Sequence, residues 1–179
     1  EGIEQDTVVI FTSDNGMNMG HHGVWGKGNG TYPPNMYDSY IKVPFLIYLP
    51  DNAQKGRVCH NRASQYDIFP TILELAGCNY EKEPKQPGES IVKMLKAPEE
   101  KVSNRIVVYD EYGGTRMIKK NQYKYIQRCQ EELCEFYDLE KDPEETYNLY
   151  NQSQYKEIIC AMKKEMEEWF TKYSEELLD

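Results

Sequence analysis

Thr7-Val8-Val9-Ile10-Phe11 runs directly into Thr12-Ser13-Asp14-Asn15-Gly16. The first half is a short, continuous apolar and β-branched run, the pattern of a strand covered on both faces in a parallel sheet. The second half is polar and turn-forming, and it falls at the carboxyl end of that strand. Open α/β sheets bind ligands at those ends, because the loops diverge there and leave a crevice. The expected fold class is therefore α/β, with a functional loop opening at Thr12.

Working outward, glycine recurs through residues 16–35 and Pro33-Pro34 follows, so neither helix nor strand is expected there. A long loop of this kind inside a compact domain is functional or disordered. Pro44 to Leu49 is a second run of buried-strand character. From Ser64 to Ala76, Ile68, Ile72, Leu73 and Leu75 repeat at helical spacing; Ser64 or Asp67 can cap the start and Gly77 closes the end. Lys82 to Gly88 reads as a connector, and Ile91 to Leu95 as one helical turn. The pattern then changes. Arg105–Glu111, Arg116–Lys119, Gln122–Gln127 and Leu133–Leu139 are short and alternating, with Gly113-Gly114 and Asn121 at turns, which predicts an antiparallel meander covered on one face. Tyr155, Ile158, Ile159, Met162, Met166, Trp169, Phe170 and Tyr173 recur at steps of three and four and predict an amphipathic helix that covers that sheet. The switch of pattern suggests two parts, 1–100 and 101–179.

The chain has 179 residues, with 21 Lys plus Arg against 30 Asp plus Glu, a formal charge of −9. Such a surface repels a phosphate backbone, which argues against general nucleic-acid binding. Aromatic residues make up 12%, including 15 Tyr, so a packed core is expected rather than disorder. No apolar run is long enough to span a membrane. The acidic start, Glu1 to Asp6, is unlike a signal peptide and reads as mid-protein sequence. The cysteines at 59, 78, 129, 134 and 160 form no C-x-x-C, and with only three His a zinc cluster is not expected. Cys129 and Cys134 can face each other across a hairpin, as a reduced pair or bonded.

Chemistry concentrates in the first loop. Asp14 and Asn15 offer a carboxylate beside a neutral amide oxygen, a donor pair for a hard divalent cation. The same D-N-G string is also a strong turn signal, so an Asx-turn is the competing reading. Lys27, in Trp25-Gly26-Lys27-Gly28, is a compact positive charge that glycines would let approach an oxyanion closely, or else a solvated loop lysine. It belongs to no nucleotide P-loop, since Gly28 stands where that motif needs Ser or Thr. His21 and His22 precede Gly23; one can act as general acid towards a leaving oxygen, or simply hydrogen-bond the loop. His60 reads as surface, and no G-x-S-x-G elbow is present.

Together these stretches resemble the sulfatase family of the alkaline phosphatase superfamily. The residues that carry the resemblance are Val9–Gly16 (VIFTSDNG), Gly20–Gly28 (GHHGVWGKG), Tyr37–Pro44 (YDSYIKVP), Asp67–Gly77, Gly88–Ser90, Tyr123–Ile126 and Phe136–Leu149, in family order. The resemblance implies the last strands of a large mixed or parallel sheet, followed by a small antiparallel sheet under a long C-terminal helix. It also implies hydrolysis of sulfate esters by a formylglycine made from the Cys or Ser of a C/S-x-P-x-R motif. A divalent cation, Ca²⁺ in most of the family and Mg²⁺ or Mn²⁺ in other cases, holds the sulfate. On this resemblance Asp14 and Asn15 match the second pair of metal ligands, and Lys27 the lysine on the sulfate and leaving oxygen. His22 matches a G-x-H-G position beside the leaving group, with Ser13 and Asp38 in supporting places.

Lys42 stands where the family often has Arg, and Asp38 where it often has Glu; both keep the charge. No Cys or Ser of the chain begins C/S-x-P-x-R and no Asp-Asp pair precedes it, so the chain reads as a C-terminal portion, inactive alone. The expected substrate is a small-molecule or carbohydrate sulfate ester. Two alternatives stand beside this: a phosphodiester or phosphonate monoester hydrolase of the same superfamily, and a non-catalytic binding module. Asn15 rather than His favours the sulfatase branch, because imidazole suits softer metals.

Overall fold

A computed structural model describes residues 1–50, 56–100, 105–110 and 114–174. The chain forms two compact units, 1–58 and 59–179. Glu111 and Gly113, placed above in the meander, lie outside the described residues.

The first unit holds four short strands and one helical turn: β1 (Val9–Phe11), β2 (Asn18–Met19), β3 (Trp25–Gly26), α1 (Asp38–Ile41) and β4 (Leu46–Tyr48). β1 pairs with β4, with Val9 opposite Tyr48 and Phe11 opposite Leu46. β2 and β3 form a second ribbon. The fold class is α/β as expected, but the local reading of the opening strand is corrected. β1 runs antiparallel to β4, where a parallel neighbour was expected, and among the described residues Val9 is 53% exposed and Phe11 64%. Apolar composition reports which surface a strand is suited to bury, and it leaves strand direction open. Two strands alone cover each other only edge to edge, so among the described residues their faces stay open.

The second unit begins with α2 (Ile68–Leu75), whose start is secured by both candidate caps together. Ser64 Oγ accepts the Tyr66 N–H, and the Asp67 carboxylate accepts the Ser64 N–H at 2.7 Å. This reciprocal box satisfies amides that the first helical turn leaves unpaired. Gly77, at φ +67°, ends the helix in the left-handed conformation that favours glycine. Asp67 also accepts the Glu89 N–H at 2.9 Å, and the buried Thr71 hydroxyl accepts that of Ile91 at 3.1 Å, so α2 organises the connector after it. One helical turn follows, α3 (Val92–Lys96).

The meander and its covering helix match the periodicity. β5 (Arg105–Tyr109), β6 (Arg116–Lys120), β7 (Tyr123–Gln127) and β8 (Glu135–Asp138) pair antiparallel in sequence order. Asn121, at φ +49°, makes the tight β6–β7 turn. α4 (Lys156–Tyr173) lays Ile159, Met162, Met166 and Trp169 on Val107, Ile118, Tyr125 and Phe136. Each side chain of that kind contributes about 1.5–3 kcal/mol when fully buried, so this seam holds the unit together. Arg105 and Lys120 reach across to Glu165 on α4 at 3.0 and 2.5 Å. Lys124 on β7 forms a buried pair with Glu145 at 2.5 Å. Cys129 and Cys134 are both free thiols, the former exposed and the latter buried. Among the described residues no helix is long and apolar enough to cross a membrane.

Candidate active site

The candidate site residues Ser13, Asp14, Asn15, His22, Lys27 and Asp38 all lie in the first unit. Asp14 follows β1 and is exposed. One carboxylate oxygen, Oδ1, accepts the Asn15 N–H at 2.8 Å and faces the Ser13 hydroxyl at 3.2 Å. Among the described residues the other oxygen, Oδ2, accepts no hydrogen bond, and the same holds for Asn15 Oδ1, because Asn15 Nδ2 donates to the Gly16 carbonyl at 2.7 Å. The turn and the donor pair therefore coexist. The contacts that fix the turn occupy one side of each group and leave one oxygen of each for a ligand.

Lys27 lies between β3 and a short 3-10 turn, Gly28–Gly30. Its ammonium is exposed and makes no hydrogen bond or ion pair among the described residues. The Asn15 N–H first, and the Ser13 hydroxyl next, hold the Asp14 carboxyl below its ordinary value, and the positive charge of Lys27 adds to them. Gly16 and Gly28 both pack on Tyr40, which brings the turns that carry Asp14 and Lys27 to one locality, although 12 residues separate the two in sequence.

α1 braces this locality. The Gly16 N–H donates to the Tyr40 carbonyl at 2.6 Å, and a β-carbon at Gly16 would press against the Ser39 and Tyr40 carbonyls. A β-carbon at Gly28 would run into the Tyr40 ring. Asn35, buried, donates both its N–H and its Nδ2 to the Gly28 carbonyl, at 2.9 and 3.1 Å. Asn18, fully buried, accepts the Ser39 hydroxyl at 2.5 Å and reaches Asn35 at 3.4 Å. The chain from Ser39 through Asn18 and Asn35 to Gly28 thus closes a polar network beneath the loop that carries Lys27. Buried polar groups that are all paired rigidify the segment they join. Sequence reasoning missed Asn18, Asn35, Ser39 and Tyr40. The available signal was an unusual density of Asn among glycines, which need buried partners once the backbone is packed closely.

His22 takes a left-handed conformation at φ 53° and stacks on Tyr37, with ring centroids 3.7 Å apart and planes 9° from parallel. His21 Nδ1 accepts the Met19 N–H at 3.3 Å, so this histidine hydrogen-bonds the loop backbone. Asp38 is the first residue of α1 and accepts the Lys42 N–H through its carbonyl. His60 is exposed and lies in the second unit. No group of three or more His, Cys, Asp or Glu arranged to hold a metal occurs among the described residues. Asp14 and Asn15 set two oxygen donors side by side, a pair of the kind a hard cation accepts.

The family model described as N-sulphoglucosamine sulphohydrolase, C-terminal, matches residues 20–172, and the chain belongs to that family, within the sulfatases. It is 32% identical over 173 residues to an arylsulfatase of Clostridium perfringens, covering 91% of this chain and 33% of the relative. It is 28% identical over 177 residues to a Delta 4,5-hexuronate-2-O-sulfatase of Bacteroides thetaiotaomicron, covering 94% of this chain and 35% of that protein. A solved 2-O GAG sulfatase superposes with a TM-score of 0.81 at 27% identity, over 98% of this chain and 38% of the other. The chain spans about a third of the length of the curated relatives it matches.

Proposed function

We propose that the full-length protein carrying this chain hydrolyses sulfate esters, with a sulfated sugar as the substrate class. The observation that carries the proposal is the packing of Gly16 and Gly28 on one residue, Tyr40, which brings together the turns that carry Asp14 and Lys27, the Lys27 ammonium being unpaired among the described residues. Membership of the sulfatase family and the sugar sulfates named for two relatives support the substrate class.

The chemistry follows from charge. When the S–O bond of a sulfate ester breaks, negative charge moves onto the bridging oxygen. A fixed cation aimed at that oxygen stabilises the transition state more than the ground state, and so raises turnover. In this reading Lys27 is that cation. Asp14 and Asn15 fit a divalent ion, Ca²⁺ in the first instance, which when bound would offset the sulfate charge and fix its orientation. In the same reading His22, steadied by its stack on Tyr37, would stand beside the leaving group. No C/S-x-P-x-R motif occurs in the 179 residues, so the reading takes its formylglycine nucleophile from elsewhere in the full-length protein. Assaying that protein with an aryl sulfate and an aryl phosphate in the presence of Ca²⁺ tests the proposal. Hydrolysis of the sulfate is expected; hydrolysis of neither, or of the phosphate alone, overturns it.

A further inference from the structure

Trp25 is 71% exposed in a chain that spans about a third of its relatives' length. Its orientation follows from the β2–β3 register, in which Asn18 opposes Gly26 and Met19 opposes Trp25. Successive residues of a ribbon face opposite sides, so the fully buried Asn18 marks the inner side and Met19 with Trp25 the outer one. Met19 is itself 59% exposed. The indole lies against the backbone of Gly20, where a β-carbon would sit 3.3 Å from Cζ2. Gly20 is at φ +93° and Gly26 at φ +127°, both in the region that favours glycine. The indole is therefore backed by main chain at Gly20, and most of its surface stays open among the described residues.

Two residues further on stands Lys27. A flat apolar surface beside an unpaired ammonium is complementary to a ligand with two parts: an anionic group, and a ring whose face carries C–H bonds. Ligand sites have this composition, an apolar lining with few, well-placed polar groups. Methionine beside the indole adds a surface that adjusts to the ring it meets.

We propose that Trp25, with Met19 beside it, is the platform on which the sugar ring of the sulfate ester rests while Lys27 holds the sulfo group. The inference rests on the sulfatase reading and deepens it, by naming the residue that selects a ring-bearing alcohol over a small one. Trp25 binds and selects; it takes no part in breaking the bond.

The test uses the full-length protein and its Trp25→Ala and Trp25→Phe variants. Binding of sulfated hexosamine and hexuronic acid monosaccharides is measured by calorimetry, and turnover is measured with those sugars and with ethyl sulfate, which has no ring. Trp25→Ala is expected to weaken sugar binding and raise KM for the sugar about tenfold, the scale of one aromatic contact, with ethyl sulfate unaffected. Trp25→Phe, which keeps a flat ring, is expected to recover most of the loss. Equal losses on sugar and ethyl sulfate, unchanged affinity for the sugar, or no sugar binding by the wild type would each overturn the inference. Trp25-dependent binding without hydrolysis of any sulfate ester would instead overturn the sulfatase reading and leave the platform standing.

Discussion

The ring of Tyr40 lies so close to Gly28 that a β-carbon at position 28 has no room, while the carbonyl of the same tyrosine accepts the Gly16 N–H at 2.6 Å. One residue of α1 therefore fixes both the turn that follows Asp14–Asn15 and the turn that follows Lys27. The separation of the two backbone turns is set by packing, as a site needs when a small displacement of a charged group costs rate.

Gly28→Ala tests this directly. The added methyl must push away the Tyr40 ring, an overpacking that costs about 1–3 kcal/mol, and it moves Lys27 in doing so. In the full-length protein, kcat on an aryl sulfate is expected to fall at least tenfold, with a fall in Tm. Wild-type kinetics in the variant would show that the contact does not position the lysine.

Lys27→Ala removes the proposed charge partner of the leaving oxygen. Loss of one such preorganised electrostatic contact lowers kcat by about 10²–10³-fold. Steady-state kinetics separate the cases: a rise in KM with kcat unchanged would mean that the lysine binds ground state and transition state alike.

The buried pair of Lys124 and Glu145, with side chains 0% and 2% exposed, makes a prediction about stability alone. Lys124→Ala leaves a carboxylate buried without its ammonium and is expected to cost about 3–5 kcal/mol in chemical denaturation. A cost below about 1 kcal/mol would mean that Glu145 is protonated or resolvated in the variant.

Glu165 gives a pH dependence. Burial pushes its carboxyl up, but hydrogen bonds from Lys120 and Arg105 outweigh that and hold it below its ordinary value of 4.5. A carboxyl whose folded value is depressed contributes stability above the unfolded value and loses it as pH falls through the folded one. Thermal melts of wild type should therefore weaken below about pH 4.5, and Glu165→Gln should lower Tm at neutral pH and flatten that part of the profile. Parallel profiles for the two proteins would contradict the assignment.

The parts of this fold that were legible in sequence are those built from local repetition. α4 follows from Ile159, Met162, Met166 and Trp169, and β5–β8 from alternation broken at Asn121, because periods of 3.6 and 2 state which face is covered. The candidate residues Asp14, Asn15 and Lys27 stand out in sequence because their chemistry is unusual for a glycine loop. The direction of β1 was not, since Val9, Ile10 and Phe11 carry the same apolar signal whichever way β4 runs. Nor was the network under Lys27: Asn18 pairs with residues 17 and 21 positions away, and no local pattern announces partners at that range.

The claim on which the rest stands is that Asp14 and Lys27 grip one sulfate ester, the first through a divalent ion and the second directly. The most direct measurement is the Ca²⁺ dependence of aryl sulfate turnover by the full-length protein and its Asp14→Asn variant. Removing the formal charge should raise the Ca²⁺ concentration needed for half-maximal activity at least tenfold, with activity recovered at high Ca²⁺. An unchanged Ca²⁺ requirement would contradict the account.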